Sequence, residues 1–202
     1  MPKLLTKLLI LLITTSIPLP AHAVGTTPSD IVRGFQTHLI DVMKKADTLD
    51  ARGRIKKLSG PVDSAFRLQS IGRIAIGSFW NTASDSQRQR FTDAFRAMSL
   101  STLATYFSGY SGERFEISGE QPGPQNTQVV FTHIIKSNKS KTAIDYVMLE
   151  FKEGWRIIDV ILDKGISELS VRRSEYNLVL REQGLEGLIK LLENKSNELR
   201  AQ

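Results

Sequence analysis

The stretch TQVVFTHIIKSNKSKTAIDYVMLEFKEGWRIIDVILD, residues 127–163, decides the fold. Its apolar residues alternate with a period of two, and its breaks, Ser137 to Lys141 and Glu153-Gly154, are short and polar. A period of two belongs to strands, whose successive side chains point to opposite faces. The pattern predicts strands over Thr127 to Lys136, Thr142 to Lys152 and Trp155 to Asp163, and Glu113 to Ser118 reads as another across the loop Gly119 to Asn126. Connections this short join antiparallel neighbours, so a four-stranded meander is expected.

Both faces of that sheet read as apolar. Ile144, Tyr146 and Met148 point one way, and Val147, Leu149 and Phe151 the other. On the last strand Ile157 and Ile161 alternate with Ile158, Val160 and Leu162. A sheet with one wet face shows polar residues in one such set. Either helices cover both faces, or one face lines an apolar cavity, and periodicity alone does not separate the two.

Upstream of the meander the period is 3.6. Pro28-Ser29-Asp30 opens a helix carrying Ile31, Phe35, Leu39, Val42 and Met43 on one face. A short helix over Ala51 to Leu58 is expected to end at Ser59-Gly60-Pro61, a strong breaker. Leu68 to Phe79 reads as helical despite Gly72 and Gly77. Ser84 and Gln87 have capping-box spacing, and a long helix follows with Phe91, Phe95, Met98, Leu103 and Tyr106 on its buried side, stopping at Gly109. Downstream, one helix is expected from Ser167 to Gln183, then Gly184, then a second with Leu185, Leu188, Ile189 and Leu192 on one face. Helices, then strands, then helices make an α+β domain.

The first 23 residues stand apart. Lys3 and Lys7, the apolar run Leu8 to Ile13 weakening towards Leu19, the breakers Pro18 and Pro20, and Ala21-His22-Ala23 follow the order of a cleavable secretory signal. The run is too short for the roughly 20 residues of a spanning helix. Residues 1–23 are therefore expected to be removed after Ala23, leaving residues 24–202 as a single soluble domain outside the cytoplasm. Cleavage takes two lysines from a formal charge of +6. The remaining basic residues are scattered apart from Arg52 to Lys57 and Lys136 to Lys141, which is no nucleic-acid signature. There is no cysteine, which excludes disulfides and thiolate metal sites. The chain has to be held by its own core.

Catalytic patterns are sparse. His38 and His133 are the histidines beyond the signal, and neither has a second ligand at metal-binding spacing. There is no phosphate loop, dinucleotide fingerprint or nucleophile elbow. Asp145 and Asp159 fall on neighbouring strands and form the one carboxylate pair to consider as a general base, against the plainer reading of solvent-facing or ion-paired side chains.

Trp155-Arg156-Ile157-Ile158-Asp159-Val160, then Gly165-Ile166-Ser167, Arg172-Arg173-Ser174-Glu175-Tyr176 and Gly184 before Leu188-Ile189 form one ordered series. Trp80, Gln87-Arg88-Gln89-Arg90-Phe91, Phe95 and Tyr106 precede it. Together these resemble the MlaC family of periplasmic lipid carriers, also called the toluene-tolerance family. Asp163-Lys164 lengthens the interval before Gly165 relative to the common phospholipid carriers, and the segment from Ile166 to Tyr176 is similar to the hopanoid-associated HpnM-like branch.

The resemblance implies a curved antiparallel sheet and surrounding helices enclosing an apolar pocket, in a cone like that of nuclear transport factors. It implies a non-enzymatic carrier with no cofactor, whose cargo is a phospholipid or hopanoid. Its partners would be an inner-membrane ABC-type transport complex and an outer-membrane acceptor, with no nucleic acid. Such a pocket needs large, adaptable apolar side chains. Tyr106, Phe107, Tyr110, Phe131, Tyr146, Met148, Val160, Leu162 and Ile166 are the candidates. Arg172 and Arg173 are candidates for a headgroup or partner contact. Two other outcomes are an enzyme on the same fold using Asp145 or Asp159, and an envelope interaction module with a solid core.

Overall fold

The structure, a computed structural model, describes residues 26–201. The expected signal and its cleavage point lie outside the described residues. Helix α1 (Pro28–Lys44) begins at Thr27, whose side chain accepts from the Asp30 backbone while the Asp30 carboxylate accepts from the Thr27 N–H. This reciprocal cap, with Pro28 at the first helical position, satisfies the donors that a helix start leaves open. Val32, Phe35, Leu39, Val42 and Met43 form the buried stripe of α1.

Helix α2 (Ala51–Ala65) overturns the expected stop at Ser59-Gly60-Pro61, because it runs straight through Pro61. A proline inside a helix costs about 3 kcal/mol through its missing N–H and its ring. Leu58 and Val62 flank it, both fully buried, and each contributes about 1.5–3 kcal/mol by burial. Tertiary packing offsets the local penalty.

Next come α3 (Leu68–Ile76), the single turn α4 (Phe79–Thr82) and the long α5 (Asp85–Tyr106). The expected Ser84–Gln87 capping box opens α5, which ends three residues before Gly109.

The sheet is an antiparallel meander in sequence order: β1 (Arg114–Pro122), β2 (Gln128–Ile135), β3 (Lys141–Phe151), β4 (Gly154–Leu162) and β5 (Ile166–Ser167). It has five strands where four were expected. The fifth pairs only Ile166 with Leu162 and Ser167 with Ile161, too short a stretch to show a period in sequence.

A bulge in β4 changes the expected facing. Tyr146 pairs with Val160 and Val147 with Asp159, but Met148 pairs with Ile157, which leaves Ile158 as the extra residue. An inserted residue shifts the alternation by one. Ile157 therefore joins Val160 and Leu162 on the face of Ile144, Tyr146 and Met148, instead of opposing them.

Helix α6 (Glu168–Arg200) contains both expected C-terminal segments, with Gly184 between them at φ 65°, outside helical geometry. That left-handed φ suits glycine, which carries no Cβ to clash.

Two buried clusters result. One joins α1, α2 and the end of α5 to the sheet through Phe35, Leu39, Val62, Val130, Tyr146, Met148 and Ile157. The other joins α3, α5 and α6 through Ile76, Phe91, Phe95, Tyr176, Leu180 and Leu188. On the other parity of the strands, Phe131, Val147, Leu149 and Ile161 belong to neither cluster and are half-buried. The sheet thus keeps its main core on one face. Among the described residues, no helix is long and apolar enough to cross a membrane.

Candidate functional site

Between the sheet and the helices lies a cavity of about 320 Å³. Its walls come from every layer. Helix α1 contributes Phe35 and Leu39 from its buried stripe, and α2 contributes Val62 with Phe66 just beyond its end. Leu68 and Ile71 come from α3, and Phe95, Leu103 and Tyr106 from α5, followed by Phe107. The sheet supplies Ile144, Tyr146, Val160 and Leu162. The bulge matters here, because it lets Ile157 close the core behind the cavity while Val160 and Leu162 face it. Phe66 meets Phe35 edge-on at a centroid distance of 5.0 Å, and Tyr146 meets Phe35 at 6.3 Å, so the aromatic wall is internally braced.

Polar groups are few and mostly engaged. Asp159 lines the cavity, yet both its oxygens are taken up. Oδ1 accepts from the Val160 N–H at 2.8 Å and the Leu169 N–H at 2.9 Å, and Oδ2 accepts from the Ser167 hydroxyl at 2.6 Å. This carboxylate ties β4 to the first turn of α6, whose N-cap is Ser167. Asp145 does not line the cavity and accepts from the Thr132 N–H at 3.0 Å.

Beside Tyr146, the buried Gln36 side chain donates to the Thr132 hydroxyl at 3.0 Å. Burial pushes the Tyr146 hydroxyl well above the usual phenol range, outweighing the neighbouring Gln36 amide that pulls it down. Tyr146 is therefore a neutral wall residue. On α5, Ser99 donates to the Phe95 carbonyl at 2.8 Å, but the buried Thr102 hydroxyl has no partner among the described residues.

Leu169 of α6 adds an aliphatic side chain, and Glu168 and Arg172, one turn apart on the same helix, complete the lining. Arg172 lies 3.9 Å from Glu168 and 3.6 Å from Glu175, longer than a direct charge-assisted bond of about 2.7–2.9 Å. Its guanidinium is thus loosely held at the polar end of an apolar chamber.

Of the nine residues the sequence nominated, Tyr106, Phe107, Tyr146, Val160 and Leu162 come together here. The other four lie elsewhere. Met148 is wholly buried in the sheet-side core, two residues along β3 from Tyr146. Phe131 sits on the opposite strand parity from the buried Val130. Tyr110 and Ile166 are exposed, Tyr110 beyond the end of α5 and Ile166 in the short edge strand β5. Tyr110 lies under the Lys44 ammonium at 5.4 Å.

Apart from Tyr106 and Phe107, the sequence missed the helical wall. Phe35, Leu39 and Phe95 were legible as apolar faces, and they read as plain core. Among the described residues no group of three or more His, Asp or Glu side chains is placed to hold a metal ion.

A five-stranded antiparallel meander with helices on its core face and an apolar chamber between them, open to solvent beside the exposed Tyr106, defines a class of α+β protein built around an apolar pocket. The chain belongs to the MlaC family, whose model, described as MlaC protein, matches residues 34–194. It is similar to the intermembrane phospholipid transport system binding protein MlaC of Haemophilus influenzae, with 23% identity over 137 residues, 65% of this chain and 63% of that protein. The match thus spans less than two thirds of the relative's length. Among solved structures it resembles the phospholipid-binding protein of Ralstonia solanacearum in complex with a phospholipid, with a TM-score of 0.72 and 17% identity over 85% of this chain and 95% of that one. At that identity the likeness speaks for the fold.

Proposed function

We propose that this protein is a non-enzymatic periplasmic lipid carrier. It encloses the apolar part of a phospholipid or hopanoid in the chamber and moves it between the inner and outer membranes. The observation that carries this reading is the chamber itself, walled by aromatic and aliphatic side chains from five helices and two strands. Its volume of about 320 Å³ falls in the range of roughly 300–1,000 Å³ typical of ligand pockets. Family membership and the names of the two relatives support lipid as the cargo.

The physical need is large. Exposing one acyl chain of about 15 methylenes to water costs on the order of 12 kcal/mol, at about 0.8 kcal/mol each. Unaided diffusion between membranes is then negligible, and a chamber of this kind offsets most of the cost. Tyr106, Phe107, Tyr146, Val160 and Leu162 contact the tail in this reading, and Arg172 stands where a headgroup emerges. The sheet curves around the tail as the wall of a cone of the nuclear-transport-factor type. An inner-membrane ABC-type complex and an outer-membrane acceptor exchange the cargo, and the segment before residue 24 directs export.

The engagement of both Asp159 oxygens, and the position of Asp145 off the cavity, speak against a general base in the chamber. The test is native mass spectrometry with lipid extraction on protein purified from membrane-rich cells. Co-purifying lipid is expected, and its mass identifies phospholipid or hopanoid. Consistently empty protein that also refuses lipid from vesicles overturns the proposal.

A further inference from the structure

The basic cluster Arg52 to Lys57 finds no part in the lipid chamber. Helix α2 turns Val62 towards the chamber, but Arg52 and Lys56 line a separate open groove of about 590 Å³. Arg96 of α5 and Arg200 at the end of α6 complete its cationic wall, over a floor that includes Ile55 and Leu100. The groove shares no lining residue with the chamber, and no carboxylate lines it.

Three of its four cations have no ion-pair partner among the described residues. Arg96 is held by Asp63 through two bonds at 2.7 and 2.6 Å. Arg52, Lys56 and Arg200 take part in no ion pair among the described residues. A second observation is independent of charge: the Arg200 Nε is buried and has no hydrogen-bond partner among the described residues. A buried donor without an acceptor is costly, and a guanidinium most of all.

Like charges gathered from three helices repel one another, and an oxyanion between them reverses the sign of that interaction. Guanidinium forks match phosphate oxygens, and an ammonium adds a point charge. The apolar floor suits a phosphate that carries an organic substituent. We infer that the groove between α2, α5 and the end of α6 binds a phosphate group, presented either by an anionic lipid headgroup at a bilayer surface or as free phosphate.

The test uses the chain lacking its first 23 residues, wild type against Arg52→Gln/Arg200→Gln. Lys136→Gln/Lys139→Gln, in the β2–β3 turn, removes the same charge far from the groove. One arm titrates inorganic phosphate against chloride at matched ionic strength, read by NMR shifts of groove amides. The other measures sedimentation with phosphatidylglycerol vesicles against phosphatidylcholine vesicles at physiological salt.

At least a tenfold loss in one arm for the groove pair, with less than twofold loss for the turn pair, is expected, and the responding arm names the source. Circular dichroism checks the fold, and Arg52→Gln/Lys56→Gln repeats the test without touching α6. Absence of binding in both arms, or equal loss in the groove and turn pairs, overturns the inference.

Discussion

The two buried clusters use much the same side chains and end differently. Around α3, α5 and α6 the aromatics close on one another. Phe91 stacks on Phe95 at 5.9 Å, and Phe95 meets Tyr176 edge-on at 6.4 Å. Between the sheet and α1, α2 and α5 the walls are equally apolar, yet they leave a cavity of about 320 Å³. Helices approach one another with interlocking ridges and grooves. A twisted sheet meeting several helices leaves space that only side chains of the right length fill. Phe95 and Ile71 belong to the solid core and also line the chamber, so they form the partition between the two. A protein can therefore carry an apolar cavity if a neighbouring region is packed well enough to supply the stability.

Cutting into the solid side should have the largest effect. Leu188 is fully buried there, and Leu188→Ala should cost about 2–5 kcal/mol in urea unfolding while leaving cargo loading per folded molecule unchanged. A cost near zero would mean that this region is no better packed than the chamber.

Alkaline titration separates the same two regions. Burial raises the Tyr176 hydroxyl to about 12, against the Arg172 charge that pulls it down. The folded value lies above the unfolded one of about 10. The stabilisation is therefore complete below pH 10 and is lost as pH climbs through 12, by roughly 3 kcal/mol at about 1.4 kcal/mol per unit. Tyr176→Phe should flatten that part of the stability–pH curve. Tyr146, also raised, leaves a residual slope that Tyr146→Phe removes. If the slope survives in the Tyr146→Phe/Tyr176→Phe double variant, buried tyrosines are not its source.

Filling the chamber makes the comparison sharper. Val160→Phe projects a larger ring from β4 into the space and should lower lipid loading by about tenfold, roughly 1.4 kcal/mol. Its midpoint of unfolding should scarcely move, because the added volume has room. Unchanged loading would place the cargo elsewhere.

The smallest effect belongs to Thr102, whose buried hydroxyl lacks a partner among the described residues. Thr102→Val replaces it with a methyl and should stabilise the empty protein by about 1 kcal/mol in chemical denaturation. A loss of stability would show that the hydroxyl is satisfied in solution.

How much of this was legible in the sequence depends on the range of the interaction. The capping box at Ser84 and Gln87 is a contact three residues long, and it forms as read. The strands β2, β3 and β4 follow their alternation to within a residue at each end. Pro61 misled because its penalty is local while the burial of Leu58 and Val62 is not. Of the chamber wall, Tyr146 and Val160 were readable from strand parity. Met148 shares that parity, and only its depth removes it from the cavity. Phe66 and Leu68, either side of the junction between α2 and α3, carried no signal.

The sequence by itself determined the α+β order, the antiparallel meander, the main helix starts and the absence of cysteine, because each depends on neighbours along the chain or on composition. Only the tertiary structure decided which apolar face is core and which is cavity wall. That distinction depends on how far apart packed layers stand, and on one extra residue, Ile158, which turns Ile157 inward. Periodicity specifies a direction for each side chain. It does not specify whether another side chain is there to meet it.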